Sequence, residues 1–288
     1  MAKIIFVTCQ KWPLLSASDN YVAQALMQLG HQIEAKPWNG EFAWFAHADL
    51  VVLRSNWDYH AEIAQFRAGL ERLETAQIPL QNSASLVCWN LHKGYLLELQ
   101  AKGVKLPTSI LLPPETSLAE IYQQQNWSEA VVKPVYGASG HLVERVRAGQ
   151  IAAWTQGSRQ QRPADEWLVQ AYMPEIAQSG EISLIFVEGR YSHAVQKRPQ
   201  SGEFRINSQY QGQITRIEPN GMTLEQARQP LVWLDEIPLY ARVDGIVTAD
   251  GTFYLMELEL NEPGLYFQYA PEKALGLAEA IHARVAGQ

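Results

Sequence analysis

The first hundred residues alternate between short apolar runs and segments with helical periodicity. Apolar runs at 4–9, 32–36 and 49–54 have the length expected of buried strands. The segments at 19–29 and 61–76 repeat apolar residues at helical spacing. A strand–helix–strand order predicts a parallel sheet covered by helices, so we expect an α/β domain in this part of the chain.

After this region the pattern changes to strands joined by short turns. A helical segment at 117–124 precedes a strand at 130–134. Glu188-Gly189-Arg190 and Ala249-Asp250-Gly251 are typical of tight hairpin turns. Further predicted strands lie at 167–172, 182–187, 191–196, 243–247 and 253–260.

Composition and charge narrow the class of protein. The chain has 288 residues, of which 47% are hydrophobic, and this is ordinary globular composition. Its net charge of -7 disfavours a nucleic-acid or anionic-membrane partner. The first apolar run is too short for a signal peptide, and no stretch approaches the ~20 apolar residues of a membrane span, so we expect a cytoplasmic protein. Cys9 and Cys88 lack a CxxC partner and are expected to be buried thiols rather than zinc ligands.

The first candidate for chemistry is a lysine followed by a loop of small residues. Lys133 closes the strand at 130–134, and the loop Gly137-Ala138-Ser139-Gly140 comes shortly afterwards. Such a lysine can reach a phosphate, and small residues let backbone N–H groups approach phosphate oxygens. The loop matches neither GxxxxGK[ST] nor GxGxxG, and an ordinary strand and turn is the alternative. The candidate nucleotide-binding residues are Lys133, Gly137, Ser139 and Gly140.

The second candidate is a row of acidic residues on a predicted hairpin. Side chains on a strand alternate in direction, so Glu257, Glu259 and Asn261 are expected on one face. The turn at Asp250-Gly251 can bring Asp244 alongside Glu257. Such a cluster repels itself unless a cation neutralises it, and oxygen ligands suit Mg²⁺, with Mn²⁺ as a substitute. A solvated strand face is the alternative to this metal site.

This order of lysine, small-residue loop and carboxylate hairpin resembles the ATP-grasp superfamily of carboxylate–amine ligases over nearly the whole chain. The stretch 242–259 is similar to the metal hairpin of D-alanine–D-alanine ligases, although Glu259 stands where asparagine is usual. The stretch 169–176, called the hinge below, resembles the adenine-side hinge of bacterial glutathione synthetases. The elements 54–59 and 257–259 are similar to the cyclising ligase of the cycloserine pathway.

The resemblance implies roles that spacing alone does not. Lys93 and Lys133 would hold the α- and β-phosphates of ATP, and Arg242 would contact phosphate. The residues implied to bind adenine and ribose are Gln170, Tyr172, Met173 and Glu181. The residues implied to face the phosphates or an acyl phosphate are Lys197, Arg205 and Asn207.

Arg54 and Asp58 are candidate substrate-binding residues. They follow a predicted strand end, where open α/β sheets place ligand contacts. Arg54 could hold a substrate carboxylate and Asp58 an amine. A buried structural ion pair between the two is the alternative.

The expected fold is α/β, an ATP-grasp fold preceded by a parallel-sheet domain. We expect a substrate-side domain at 1–88, a central subdomain at 89–166 and a C-terminal subdomain at 167–288. The expected activity uses ATP and Mg²⁺ to convert a small-molecule carboxylate into an acyl phosphate, which an amine then attacks. A phosphotransferase and a non-catalytic nucleotide-binding module are the alternatives, and a homodimer is left open.

Overall fold

The computed structural model describes residues 1–161, 165–199 and 212–287. The strands are β1 (Lys3–Thr8), β2 (Gln32–Pro37), β3 (Leu50–Leu53), β4 (Leu80–Gln81), β5 (Ser109–Leu112), β6 (Glu129–Pro134), β7 (Glu144–Arg147), β8 (Trp167–Ala171), β9 (Glu181–Val187), β10 (Arg190–Arg198), β11 (Gln213–Ile217), β12 (Tyr240–Val247) and β13 (Phe253–Glu259). The helices are α1 (Ala17–Gln28), α2 (Ile63–Thr75), α3 (Ala84–Leu91), α4 (Tyr95–Ala101), α5 (Leu118–Gln125), α6 (Ile151–Gln156), α7 (Ser158–Gln161), α8 (Glu175–Gln178), α9 (Gly221–Val232) and α10 (Ala274–Ala286).

The N-terminal sheet is parallel, as the sequence predicts. Its strand order is β2-β1-β3-β4, with Ile4 opposite both Ile33 and Leu50. The strand β3 is buried along its whole length, which explains its unbroken apolar sequence. The short strand β4 and the helix α3 were not predicted, because neither carries a periodic apolar pattern long enough to recognise.

The middle sheet is antiparallel, with the order β5-β8-β6-β7. It therefore includes β8, whose residues pair with both β5 and β6. The predicted boundary after residue 166 lies just before β8 and would separate this strand from its own sheet. The sequence of an apolar strand does not indicate which sheet the strand joins. The division into three parts stays a prediction.

The C-terminal sheet is also antiparallel, with the order β11-β10-β9-β12-β13. The predicted turn between β9 and β10 is present, with φ of 49° at Glu188 and 71° at Gly189. Positive φ at both central positions suits the twist of a tight hairpin. Among the residues described, no helix has the length and apolar composition needed to cross a membrane.

Two helices join the N-terminal and C-terminal sheets into one core. Residues of α1 and α10 pack between Ile4 and Phe6 of β1 and Ile185 and Tyr240 of the C-terminal sheet. Tyr240 also donates its hydroxyl hydrogen to the Leu53 carbonyl over 2.6 Å. The end of β3 therefore lies against the C-terminal sheet.

Buried amide side chains fix the strands that carry the acidic row. Asn82 donates to the carbonyls of Tyr240 and Leu260 and accepts from the Leu239 N–H. Asn90 donates to the Leu258 carbonyl and accepts from the Leu260 N–H. Each amide thus replaces a missing strand neighbour and satisfies backbone groups that would be costly to bury alone.

A buried histidine predicts lower stability in acid. Burial lowers the pKa of His193 to about 4, while its Nε2 lies 2.8 Å from the Leu265 carbonyl oxygen. The unfolded chain binds this proton first, so stability should fall as the pH drops from 6.5 to 4, by up to about 3 kcal/mol. Urea unfolding of the wild type and His193→Gln at pH 7 and pH 4.5 measures the effect. The variant should lose less stability between the two pH values, and equal losses would contradict the assignment.

Candidate active site

The antiparallel pair β12–β13 assembles the acidic row. Asp244 lies opposite Glu257, as expected, and Arg242 lies opposite Glu259. A β-bulge interrupts the register between Asp244 and Gly245. Bulges redirect side chains, and this one lies where the carboxylates meet.

Asn261 does not continue the row. The strand β13 ends at Glu259, so the alternation that placed Asn261 on the same face stops before reaching it. Its Oδ1 instead accepts from Asn56 Nδ2 over 3.1 Å. The expected use of Asn261 as a metal ligand stays a prediction.

Basic side chains hold the carboxylates in ion pairs. Arg242 donates to both oxygens of Asp244, with Nη2–Oδ2 at 2.8 Å, and it also binds Glu259. Lys197 Nζ lies 2.5 Å from Glu181 and 3.5 Å from Asp244. Burial acts to raise the pKa of Asp244, but Arg242 and Lys197 outweigh it and hold the value at about 2. Burial and the neighbouring carboxylates instead raise the pKa of Glu259 to about 7.

Lys93 joins the small-residue loop to the hairpin. Its Nζ lies 2.6 Å from Glu257 and donates to the Gly137 carbonyl over 3.0 Å. Beyond Gly137 the backbone takes positive φ values, 54° at Ser139 and 69° at Gly140. The structure thus brings these predicted phosphate-binding residues next to the acidic row. Among the described residues, however, no group of three or more His, Cys, Asp or Glu side chains is arranged to bind a metal ion.

Lys133 is a buried cation on β6. It forms no ion pair with any described residue, in contrast to Lys93 and Lys197. Burial, with the charge of Lys93, lowers its pKa, although Glu257 acts in the opposite sense. A buried ammonium without a partner is unfavourable, so this position suits an anionic ligand.

The hinge begins within the last three residues of β8 and runs into α8. Gln170 is buried and donates to Ser109 Oγ over 2.9 Å, while its Oε1 has no hydrogen-bond partner among the described residues. The Arg145 guanidinium lies 3.7 Å from the Tyr172 ring centroid. Met173 is half-buried and precedes α8. Two further predicted site residues, Arg205 and Asn207, lie outside the described residues.

Arg54 is buried among protein partners, and its role as a substrate anchor stays a prediction. It is 1% exposed, and its Nε lies 2.8 Å from Asp19 Oδ1. Its Nη2 donates to the Pro263 carbonyl, and the guanidinium lies over the Tyr240 ring. Arg54 thus forms a buried ion pair with Asp19, and not with Asp58 as the alternative supposed. Asp58 accepts from Trp38 Nε1 over 2.6 Å instead.

The sequence reasoning missed Glu262, which the structure places beside the acidic row. Its side chain is buried, and burial followed by the charge of Glu259 raises its pKa to about 8. Trp57 Nε1 donates to its backbone carbonyl over 3.0 Å, so the segment 54–59 packs against this end of the hairpin. The only signal in the sequence was an acidic residue just before Pro263-Gly264, outside the predicted strand.

Two family models match successive parts of the chain. Residues 4–82 match the N-terminal domain of D-cycloserine synthetase DcsG. Residues 100–229 match the ATP-grasp domain of prokaryotic glutathione synthetase. The chain is 28% identical over 279 residues to the cycloserine biosynthesis protein DcsG of Streptomyces lavendulae, covering 91% of this chain and 92% of the relative. It is 27% identical over 221 residues to a glutathione synthetase of Prochlorococcus marinus (strain MIT 9313), covering 75% and 67% respectively.

Solved structures share the architecture. A crystal structure of D-cycloserine synthetase DcsG matches with a TM-score of 0.87 at 24% identity, covering 98% of this chain and 99% of the other. The D-alanine–D-alanine ligase of Bacillus anthracis matches with a TM-score of 0.70 at 15% identity, covering the whole of both chains. The expected fold is confirmed by these likenesses.

Proposed function

We propose that this chain, an ATP-grasp protein of the carboxylate–amine ligase type, activates a small-molecule carboxylate as an acyl phosphate and transfers the acyl group to an amine. One observation carries the proposal: Lys93 and the small-residue loop lie next to the acidic hairpin β12–β13. The 2.6 Å contact between Lys93 and Glu257 joins the residues expected to hold phosphates to the acidic hairpin. ADP and phosphate are the other products.

ATP binding is assigned to the residues around the small-residue loop and the hinge. Lys133 has no carboxylate partner among the described residues, which supports a contact with phosphate. Lys93 would contact phosphate after releasing Glu257. The loop at 137–140 would lie over the phosphates, since excluding water protects an acyl phosphate from hydrolysis. The hinge residues Gln170, Tyr172 and Met173, with Glu181, would receive the adenosine.

Divalent metal binding is assigned to Asp244, Glu257 and Glu259. All three offer carboxylate oxygens, the donors that Mg²⁺ and Mn²⁺ prefer, and they lie on paired strands. Their present partners, Arg242 and Lys93, would shift when ATP and the metal enter together. The metal would neutralise charge on the phosphate oxygens.

The chemistry needs no protein nucleophile. A substrate carboxylate oxygen attacks the γ-phosphorus, the bond to the β–γ bridging oxygen breaks, and ADP leaves. Arg242 and Lys197 both lie against Asp244 and would stabilise the negative charge that spreads over the transferring group. The amine then attacks the acyl carbon, phosphate leaves with its oxygen, and the nitrogen loses a proton.

The long match to the cycloserine biosynthesis protein suggests a product class. It covers most of both chains, whereas the match to the glutathione synthetase covers less of each. We extend this to a cyclic product of the cycloserine type, in which the carbonyl carbon and the attacking nitrogen belong to one amino-acid-derived substrate.

An isotope experiment tests the order of the chemistry. If the acid is phosphorylated first, oxygen-18 in the substrate carboxylate should appear in the released phosphate. The chain would be incubated with ATP, Mg²⁺ and a panel of labelled amino-acid derivatives, and the phosphate analysed by mass spectrometry. Label kept wholly in a stable phosphorylated product would favour a phosphotransferase. No ADP formation across the panel would favour a nucleotide-binding module.

A further inference from the structure

The site contains a buried carboxylate that forms no ion pair with any described residue. Asp244 and Glu259 are paired with Arg242, and Glu257 is paired with Lys93. Glu262 is more buried than Glu257 and Glu259, yet it forms no ion pair with a described residue. An isolated buried charge is costly, so such a carboxylate suits a cationic ligand.

Two buried amides beside Glu262 have unused hydrogen-bonding atoms. Asn56 is fully buried and donates to Asn261 Oδ1, which leaves Asn56 Oδ1 and Asn261 Nδ2 without partners among the described residues. If both amides were turned over, one oxygen and one NH₂ group would still remain unused. The pair therefore offers one acceptor and one donor whichever way it is oriented.

These groups lie where the N-terminal segment packs on the end of the hairpin. Trp57 holds the Glu262 backbone, and Tyr59 lies near both Asn261 and Glu262. Glu262 also lies close enough to Glu259 for their charges to interact. A ligand in this corner would thus adjoin the residues assigned to the metal and the transferring phosphate.

We propose that Glu262 and Asn56 bind a primary ammonium group of the substrate, while the Asn261 amide donates to a neighbouring substrate oxygen. This inference rests on the proposed function and names the part of the substrate that the site selects. An ammonium has three N–H donors, enough for the carboxylate and the amide oxygen together. The substrate class is an α-amino acid or a cyclic derivative with a free amino group.

Two small molecules that differ only in the amino group test the proposal. D-Cycloserine carries the primary amine, and isoxazolidin-3-one is the same ring without it. Calorimetric titrations would be made on the whole chain with ADP and Mg²⁺ present. The wild type should bind D-cycloserine roughly 10- to 100-fold more tightly, as one charge-assisted contact implies. Glu262→Gln should abolish this preference and leave the affinities for isoxazolidin-3-one and ADP unchanged.

Control measurements separate this role from structural and metal-binding roles. Glu272→Gln removes a carboxylate that pairs with Arg216 and should keep the preference. Glu262→Gln should also raise the unfolding temperature of the free protein at pH 7, because burial raises the pKa of Glu262 to about 8 and folding must therefore protonate this carboxyl, a cost that glutamine avoids. Loss of a structural contact would lower the unfolding temperature instead. Weaker Mn²⁺ binding by Glu262→Gln would assign the carboxylate to a metal instead.

Three outcomes would overturn the proposal: the wild type does not bind D-cycloserine, it binds the two probes with equal affinity, or Glu262→Gln keeps the preference for D-cycloserine. The proposed function fails separately. If the amino-group preference is found but no carboxylate oxygen reaches phosphate, the ammonium site stands and the ligase chemistry does not.

Discussion

Glu257→Gln is expected to lower ATP-dependent phosphate release at least ~100-fold while leaving the protein folded, because it removes a proposed ligand of the metal that would stabilise the transferred charge. The structure supports this choice, since Glu257 lies opposite Asp244 and contacts Lys93. The measurement is steady-state phosphate release at saturating ATP with an amino-acid derivative that the panel identifies as a substrate.

The matched control is Glu272→Gln, which removes a carboxylate outside the proposed site. It should retain wild-type turnover. A folded Glu257→Gln protein with near-normal turnover would refute the metal assignment. If Glu257→Gln loses its far-ultraviolet circular dichroism signal, Glu257→Asp is tested in its place. This variant keeps the charge but has a shorter side chain, and it should still lower turnover.

Asp19→Asn is expected to destabilise the fold by about 3–5 kcal/mol, because it leaves a buried guanidinium without its counter-charge. Asp19 and Arg54 are each 1% exposed, so water cannot replace the lost partner. Ser55 also donates to the Asp19 carboxylate, and this bond is weakened too. Urea unfolding at pH 7 measures the change.

Asp49→Asn is a suitable control, because Asp49 accepts from the Lys3 N–H at the surface. Its effect should be well below that of Asp19→Asn. If Arg54 instead held a substrate carboxylate, Arg54→Lys would weaken substrate binding with little loss of stability. We expect the reverse, with stability falling before any selective effect on substrate affinity.

The sequence predicted the regular parts of the fold well, because burial imposes a period on apolar residues. Strands such as β1, β3 and β12 lie within a few residues of the expected runs. Short elements such as β4 and β7 were not predicted, because two to four residues are too few to show a periodic apolar pattern. The sequence also did not predict which sheet β8 joins, because strand pairing depends on contacts between distant segments.

Within the site, contacts between residues close in sequence could be predicted from their spacing, whereas contacts between distant residues could not. The pairing of Asp244 with Glu257 follows from two strands and a turn in one hairpin. The partner of Arg54 is 35 residues away in sequence, and no local pattern distinguishes Asp19 from Asp58. Glu262 was missed for a similar reason, since its burial results from packing of the segment 54–59 against it.

The amides of Asn82 and Asn90 have a consequence for how this site can diversify. They hold β12 and β13 through main-chain atoms, so the positions of residues 257 and 259 do not depend on which side chains stand there. Evolution can then exchange a proposed metal ligand without rebuilding the strand, and Glu259, which stands where asparagine is usual in D-alanine–D-alanine ligases, fits this expectation. Replacing Asn82 or Asn90 would instead shift every proposed ligand on the hairpin at once, so we expect sequence change to be tolerated least at these two residues, although neither is assigned a contact with substrate.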